Sequence, residues 1–284
     1  MAAVKIVTDS TADIPKEWTD KLNIEVVPLK VHFGEDSFED GVTLTSDEFY
    51  EKLADADKIP TTSQPTPAQF EAIYNDLLQN GDTVISIHLS AKLSGTFQAA
   101  SIAKDTIEAS DRLHVIDSKR ASYAIGLIVV EAAELAAAGA DEKEILARID
   151  TLVEETTVFF MVDTLEYLQK NGRIGKASAL MGSLLKIKPI LSLTEEGEVF
   201  PFEKVRGSKK AGQRIRAEFL RRFNGKPLHV GISHALAEDE ANAFMDSMKE
   251  QFDVQQEVIT SIGPVIGTHV GPGTISISAA PVKR

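Results

Sequence analysis

The sequence predicts an α/β protein: an N-terminal, mostly parallel sheet flanked by helices, followed by a second α+β domain. Three observations carry this. Short apolar, strand-like runs alternate with helix-period segments through the first half. From "TVFFMVDT" (157–164) onward that alternation gives way to a glycine-broken helical stretch and a hairpin pattern. The 284 residues are enough for two domains of ~150 residues each. The boundary falls near Glu155, giving segments 1–155 and 156–284.

Each element has its own signal. "VKIVTDS" (4–10) is a buried-strand run ending in polar residues. "DIPKEWTDKLN" (13–23) is a helix, with Asp13 as its cap and Pro15 near the first turn. "IEVVPLKVHF" (24–33) is extended, and Pro28 marks an edge or a bend because it donates no ladder hydrogen bond. "TSDEFYEKLADA" (45–56) opens on a hydroxyl–acid capping pattern. "TTSQPTPAQFEAIYNDLLQNG" (61–81) starts as a loop and becomes a helix that stops at Gly81. After the strand "DTVISIHLS" (82–90), Leu93, Phe97, Ala100, Ala103 and Ile107 share one helical face. "RLHVID" (112–117) is a strand, "SYAIGLIVVEAAELAAAG" (122–139) a largely apolar helix, and "DEKEILARIDTLVEET" (141–156) an amphipathic one.

In the second half, "LEYLQKNGRIGKASALMGSLLKIKP" (165–189) is helical but broken by glycine, and "ILSLTEEGEVFPFEKVRG" (190–207) is a hairpin with strands either side of Glu195–Gly197. Two helices flank the strand "LHVGISH" (228–234), and "EVITSIGPVIGTHVGPGTISISAA" (257–280) ends the chain's patterned region.

Composition narrows the function classes. Hydrophobic residues make up 43% and charged residues 26%, the balance of a globular protein. No apolar run approaches the ~20 residues that span a bilayer, which leaves only transient contact with a membrane surface. The N-terminus runs straight into strand-like sequence, so a cytoplasmic protein is expected. The absence of Cys excludes disulfides, thiolate metal sites and a Cys nucleophile. A net charge of -13 argues against nucleic acid as a partner. The charge is uneven: Leu165 to Lys226 holds 14 Lys and Arg against 6 Asp and Glu, a surplus of +8, so the remainder carries -21. Such a segment fits a docking face or a phosphate site, and equally a run of solvated helix faces.

Four hydroxyl-rich clusters lie just after strands or between elements: Thr8–Thr11, Thr61–Pro67, Leu89–Thr96 and Asp117–Ser122. In a parallel sheet the carboxyl ends of the strands face one crevice, where ligands sit. Hydroxyls and the free amides of a helix start hold a carboxylate or phosphate without a full positive charge. Capping explains each cluster taken singly; their convergence favours a ligand. Familiar catalytic patterns are missing. There is no Walker-type GxxxxGK[ST] and no HExxH, and "KLSGT" lacks the first glycine of GxSxG. His88 ends an apolar strand and fits a satisfied core residue, whereas His269 sits among Gly267, Gly271 and Gly273 on a loop where it can donate to an anion.

"VTDSTADIP", "PTTSQPTP", "LSAKLSGTFQAA", "LEYLQKNGRIGK", "KPIL" with "KVRGSKKA", and "GPVIGTHVGPGT" occur in this order. With these motifs the sequence resembles the DegV family of fatty-acid-binding proteins over essentially the whole chain; Ser276 departs from it, standing where that pattern has glycine. The resemblance implies one long-chain fatty acid held between the two domains, its tail in an apolar tunnel. It places the carboxylate at Thr62, with Thr61 and Ser63 nearby, at Ser94, and at His269, with backbone donors from Gly95 and the helix start at Thr96. It also implies a non-enzymatic carrier subunit of a bacterial fatty acid kinase, with no cofactor and no metal. A separate ATP-binding subunit would phosphorylate the bound carboxylate for phospholipid synthesis. Arg173 is then the leading docking residue, with Lys176, Arg206, Lys209 and Lys210. Two readings compete: a serine acyl hydrolase using Ser94 and His269, and a binding module for another anionic metabolite.

Overall fold

The structure, a computed structural model, describes residues 3–79, 81–181 and 188–282. Its N-terminal half holds β1 (Val4–Asp9), α1 (Lys16–Leu22), β2 (Glu25–Val27), β3 (Lys30–Phe33), β4 (Asp36–Glu39), α2 (Ser46–Ala54), β5 (Thr61–Ser63), α3 (Pro67–Leu78), β6 (Thr83–His88), α4 (Thr96–Asp105), β7 (Leu113–Asp117), α5 (Tyr123–Ala137) and α6 (Glu142–Glu155). The second half holds β8 (Thr157–Met161), α7 (Glu166–Lys170), β9 (Lys188–Leu193), β10 (Val199–Val205), α8 (Ser208–Phe223), β11 (Leu228–His234), α9 (Glu238–Lys249), β12 (Val254–Ser261), α10 (Pro264–Val270) and β13 (Ile275–Pro281).

Three sheets organise these elements. Strands β2-β1-β6-β7 form an all-parallel sheet. A six-stranded sheet runs β10-β9-β8-β13-β11-β12, antiparallel except for the β11–β12 pair. A small antiparallel sheet, β4-β3-β5, caps one end. The α/β class is thus the one the alternation of strand and helix signals dictates. Pro28 lies at the break between β2, an edge strand of the parallel sheet, and β3 in the small sheet. Its missing N–H is where the chain leaves one ladder for another.

The layers follow from which faces are apolar. Helices α3 and α4 cover the outer face of the parallel sheet through Phe70, Tyr74, Ala100 and Ala103. Helices α8 and α9 cover the outer face of the large sheet through Ile215, Phe219, Met245 and Met248. Between the two sheets lies α5, buried on every side from Tyr123 to Ala133. A helix that is hydrophobic all round must be enclosed on all sides, and that composition puts α5 at the centre.

Two local expectations are corrected. Asp13 does not cap α1: Pro15 is the N-cap and makes no side-chain bond, while Asp13 closes the preceding 3₁₀ turn in the left-handed region at φ 49. Leu93 precedes α4 and packs between two other cores, because the helix begins only at Thr96; Ile107 follows its C-cap, Thr106, and still joins Ala100 and Ala103 in the core. Residues 182–187, within the glycine-broken stretch 165–189, lie outside the described residues. Among the described residues no helix is long and apolar enough to cross a membrane.

Candidate functional site

A cavity opens where the loops of the parallel sheet meet those of the large sheet, with about 850 Å³ of empty space counted out to its mouth. Its wall is mainly apolar: Leu29, Leu89 and Leu93 come from the loops after β2 and β6, Phe160 and Leu168 from β8 and α7, and Val265 and Ile266 from α10. Thr62, Gln64, Ser94, Arg173 and His269 supply the larger polar groups toward one end, and Ser122, Thr274 and Ser276 add small hydroxyls elsewhere on the wall.

The sequence fixes each of these locally. Thr62 is the centre of β5, paired with Val31 of β3. Side chains alternate along a strand, so Thr61 and Ser63 face the other way from Thr62, and the Ser63 hydroxyl is hydrogen-bonded to His32 Nε2 at 2.9 Å. Thr62 Oγ1 instead bonds His269 Nε2 at 2.9 Å, tying the small sheet to α10. Ser94 precedes α4, and its Oγ pairs with Thr96 Oγ1 at 2.9 Å. Gly95 is the N-cap of α4, and the Gln64 amide nitrogen lies 2.8 Å from where a Cβ would stand. Gly95 leaves room for the Gln64 amide at this helix start, and a Cβ there would displace that flexible side chain. Thr96 is fully buried.

His269 sits in the last turn of α10. Burial, with the Arg173 charge as a second cause, pushes its imidazole down to about 4. The ring is therefore neutral at pH 7, and its Nδ1 is buried without a partner. A buried polar atom left unpaired costs free energy that a ligand restores. Arg173, exposed at the mouth, closes this end: its Nε donates to Leu93 O at 3.1 Å and its Nη1 to Asn171 O at 2.6 Å. Asn171 Nδ2 in turn donates to Thr268 O of α10 at 2.9 Å. The polar end thus combines a neutral imidazole, two hydroxyls, one amide and one guanidinium. Such a donor set suits an oxyanion, and the rest of the wall suits a hydrocarbon.

The DegV family model, described as an uncharacterised protein family, matches residues 3–282. The chain belongs to the DegV family. A DegV domain-containing protein of Halalkalibacterium halodurans is 40% identical over 280 residues, covering 98% of each chain. A DegV family protein from Thermus thermophilus, described by its fatty acid binding, superposes with a TM-score of 0.93 at 35% identity, over 99% of this chain and 100% of that one. DegV of Bacillus subtilis, described as a fatty acid binding protein, gives 0.90 at 35% identity over 99% and 100%.

The sequence-expected clamp residues divide within this DegV site. Thr62, Ser94 and His269 line the cavity together; Thr61, Ser63, Gly95 and Thr96 stand beside it without lining it. Sequence reasoning missed Gln64, although it lies in the quoted "TTSQPTP", and Asn171, whose signal was its place beside Arg173. The basic residues fall in two groups. Arg173 and Lys176 lie by the mouth, where Lys176 Nζ is 3.5 Å from Glu198 Oε2 just before β10. Arg206, Lys209 and Lys210 are exposed at the far end of β10 and the start of α8. Seven residues of strand at ~3.3 Å each separate the groups by about 20 Å.

The arrangement does not favour the hydrolase alternative. His269 bonds Thr62, Ser94 bonds Thr96, and no bond joins Ser94 to His269. The one Ser–His–Asp chain among the described residues, Ser86 Oγ to His88 Nε2 at 2.6 Å and His88 Nδ1 to Asp9 Oδ2 at 3.0 Å, is fully buried in the parallel sheet, away from the cavity. His88 is a satisfied core histidine. No group of three or more His, Asp or Glu able to hold a metal occurs among the described residues.

Proposed function

We propose that this chain binds one long-chain fatty acid, with its carboxylate at Thr62, Ser94 and His269 and its tail along the apolar wall, and presents it to a separate ATP-binding kinase subunit. The observation that carries the reading is a single cavity with an apolar wall and one polar end whose donors are almost all uncharged. Relatives that share the fold over nearly their whole length and are described as fatty acid binders support it. Burying ~16 carbons at ~0.8 kcal/mol per CH₂ gives about 12 kcal/mol gross, reduced by ordering the tail and closing the site. The tail supplies affinity; the polar end fixes which way the molecule lies.

In this reading the head group stays at the mouth, where Arg173 is exposed. Arg173 and Lys176 form the nearer docking group for the kinase, and Arg206, Lys209 and Lys210 the more distant one. Positive charge at such a rim chiefly steers and orients a partner. The protein itself would supply substrate and no catalytic group, working in the cytoplasm on the way to phospholipid synthesis.

Solvent extraction of the purified protein followed by mass spectrometry tests the binding, with about one fatty acid per chain expected. Protein that is repeatedly empty and gives no heat with palmitate or oleate in calorimetry would overturn it, and a different extracted anion would favour the metabolite-module alternative. The kinase step is tested by supplying a fatty acid kinase subunit and ATP: Ser94→Ala should lower acyl-phosphate formation, and unchanged turnover counts against the clamp.

A further inference from the structure

Two aspartates the site does not use lie buried under α10. Asp13, from the turn after β1, accepts the Gly263 N–H at 2.9 Å. Asp40, after β4, accepts the Ser10 hydroxyl at 2.9 Å, and the Val265 amide of α10 lies near enough to act on its carboxyl. Ser10 is itself fixed, accepting from Leu29 N at 3.1 Å. One oxygen of each carboxyl approaches the same point: a Cβ on Gly263 would stand 2.8 Å from Asp13 Oδ1 and 3.2 Å from Asp40 Oδ1. Both residues are almost completely buried, Asp13 at 8% exposure and Asp40 at 4%. Thus two acidic side chains of the N-terminal half meet at Gly263, Asp13 by a hydrogen bond and Asp40 by close approach, at the start of the segment that carries Val265, Ile266, His269 and Val270 into the cavity wall.

A second observation ties the pair to the cavity from the opposite side. Ser122, the residue before α5 and itself part of the cavity wall, bonds Asp13 Oδ2 and, at 3.0 Å, Ser233 of β11. Its backbone is held at φ 55 and ψ -151, a region costly for a residue with a Cβ, which persists only where surrounding contacts impose it. The other titratable groups facing the pair are Asp9, whose carboxylate is bonded to His88 of β6, and Tyr50 of α2, whose hydroxyl donates to Ile262 O at 3.1 Å. No cation is among the groups acting on either carboxyl.

We infer that Asp13 and Asp40 are positioning residues that hold α10, and through it His269, by keeping a proton between them, so that loss of that proton at alkaline pH loosens the cavity wall and weakens its hold on the fatty acid. This rests on the fatty-acid reading above. Two buried like charges without a cation cannot both persist. Burial raises Asp13 to about 7 and Asp40 well above its ordinary value, each pushed further by a neighbouring aspartate. The gripped state therefore binds protons that a loosened, hydrated state would release, and linkage makes the gripped state less favourable as pH rises.

The test uses the full, delipidated chain and the fluorescent fatty acid cis-parinarate, titrated from pH 6 to pH 9. Wild-type affinity should fall with pH, by about tenfold for each unit by which binding raises the pair's pKa. Asp40→Asn and Asp13→Asn, which each remove one ionisable group, should flatten the fall; ionisation of the probe itself is common to all three proteins. Infrared difference spectra of the wild type should show a protonated-carboxyl band at pH 6 that is lost by pH 9. Superimposable pH profiles of the wild type and both Asn variants would overturn the inference. So would spectra showing both carboxyls already ionised at pH 6, a result that needs no variant to fold. Wild type that takes up no probe at any pH refutes the fatty-acid reading instead.

Discussion

Thr62 and His269 hold each other across 207 residues of sequence. Removing one leaves the other's part-buried polar atom without its partner, in addition to the buried His269 Nδ1 that already has none. Such loss costs ~1–3 kcal/mol, so Thr62→Ala should weaken fatty-acid affinity by about tenfold or more, while Thr62→Ser, which keeps the hydroxyl, restores most of it. A fluorescence titration with both variants checks this. At this scale the sequence was informative where the motif and the geometry share a cause. A hydroxyl before a helix is ordinary capping, so Ser94 was marked by the family motif that carries it, and His269 by that motif together with its place among glycines. Gln64 did not stand out, because a glutamine in a loop carries no signal until Gly95 is seen to make room for it. Asp13 was assigned to the wrong partner for the same reason. Its true partner, the Gly263 amide, is 250 residues away.

Elements were more legible than residues, since their determinants are local. Helix α2 begins at Thr45 with a reciprocal capping box to Glu48, and α3 at Thr66 with one to Gln69; Pro67 opens the first turn of α3. Thr45→Ala should destabilise the protein by ~1 kcal/mol, read as a lower urea midpoint with an unchanged slope; a loss below ~0.3 kcal/mol would show that the box is idle. The hairpin of β9 and β10 pairs around Glu195–Gly197 with Val199 opposite Leu193, as the turn residues indicate. What the local pattern did not contain was sheet membership. Strands β2 and β3 are separated by two residues yet belong to different sheets.

For the whole molecule, pH acts on two opposed sets of buried groups. His229, inside β11, is pushed down to about 4 by burial, as is His269, with Arg173 as a second cause there. A histidine whose folded value lies below its unfolded value takes up protons preferentially when unfolded, so its contribution to stability is lost as pH falls from about 6.5 towards 4. Asp13 has the reverse sign: its carboxyl is raised from 3.8 to about 7, and its contribution is lost as pH rises through that window. The two effects offset each other in mildly acidic solution. Replacing the histidine removes one side of the balance. The melting-temperature penalty of His229→Phe should therefore be smaller at pH 4.5 than at pH 6.5; an equal penalty at both would show that His229 is not held neutral by the fold.

The sequence by itself determined the class of fold, the order and type of most elements, the apolar character of α5, and the family. These follow from periodicity, capping residues and contiguous motifs, which act over a few neighbouring positions. Only the tertiary structure decided which hydroxyls meet, how the basic residues split along β10, and that two aspartates from the N-terminal half converge at the start of the helix bearing His269. Those outcomes depend on contacts between residues far apart in the chain, set by how two sheets pack around one buried helix. No local pattern encodes that packing.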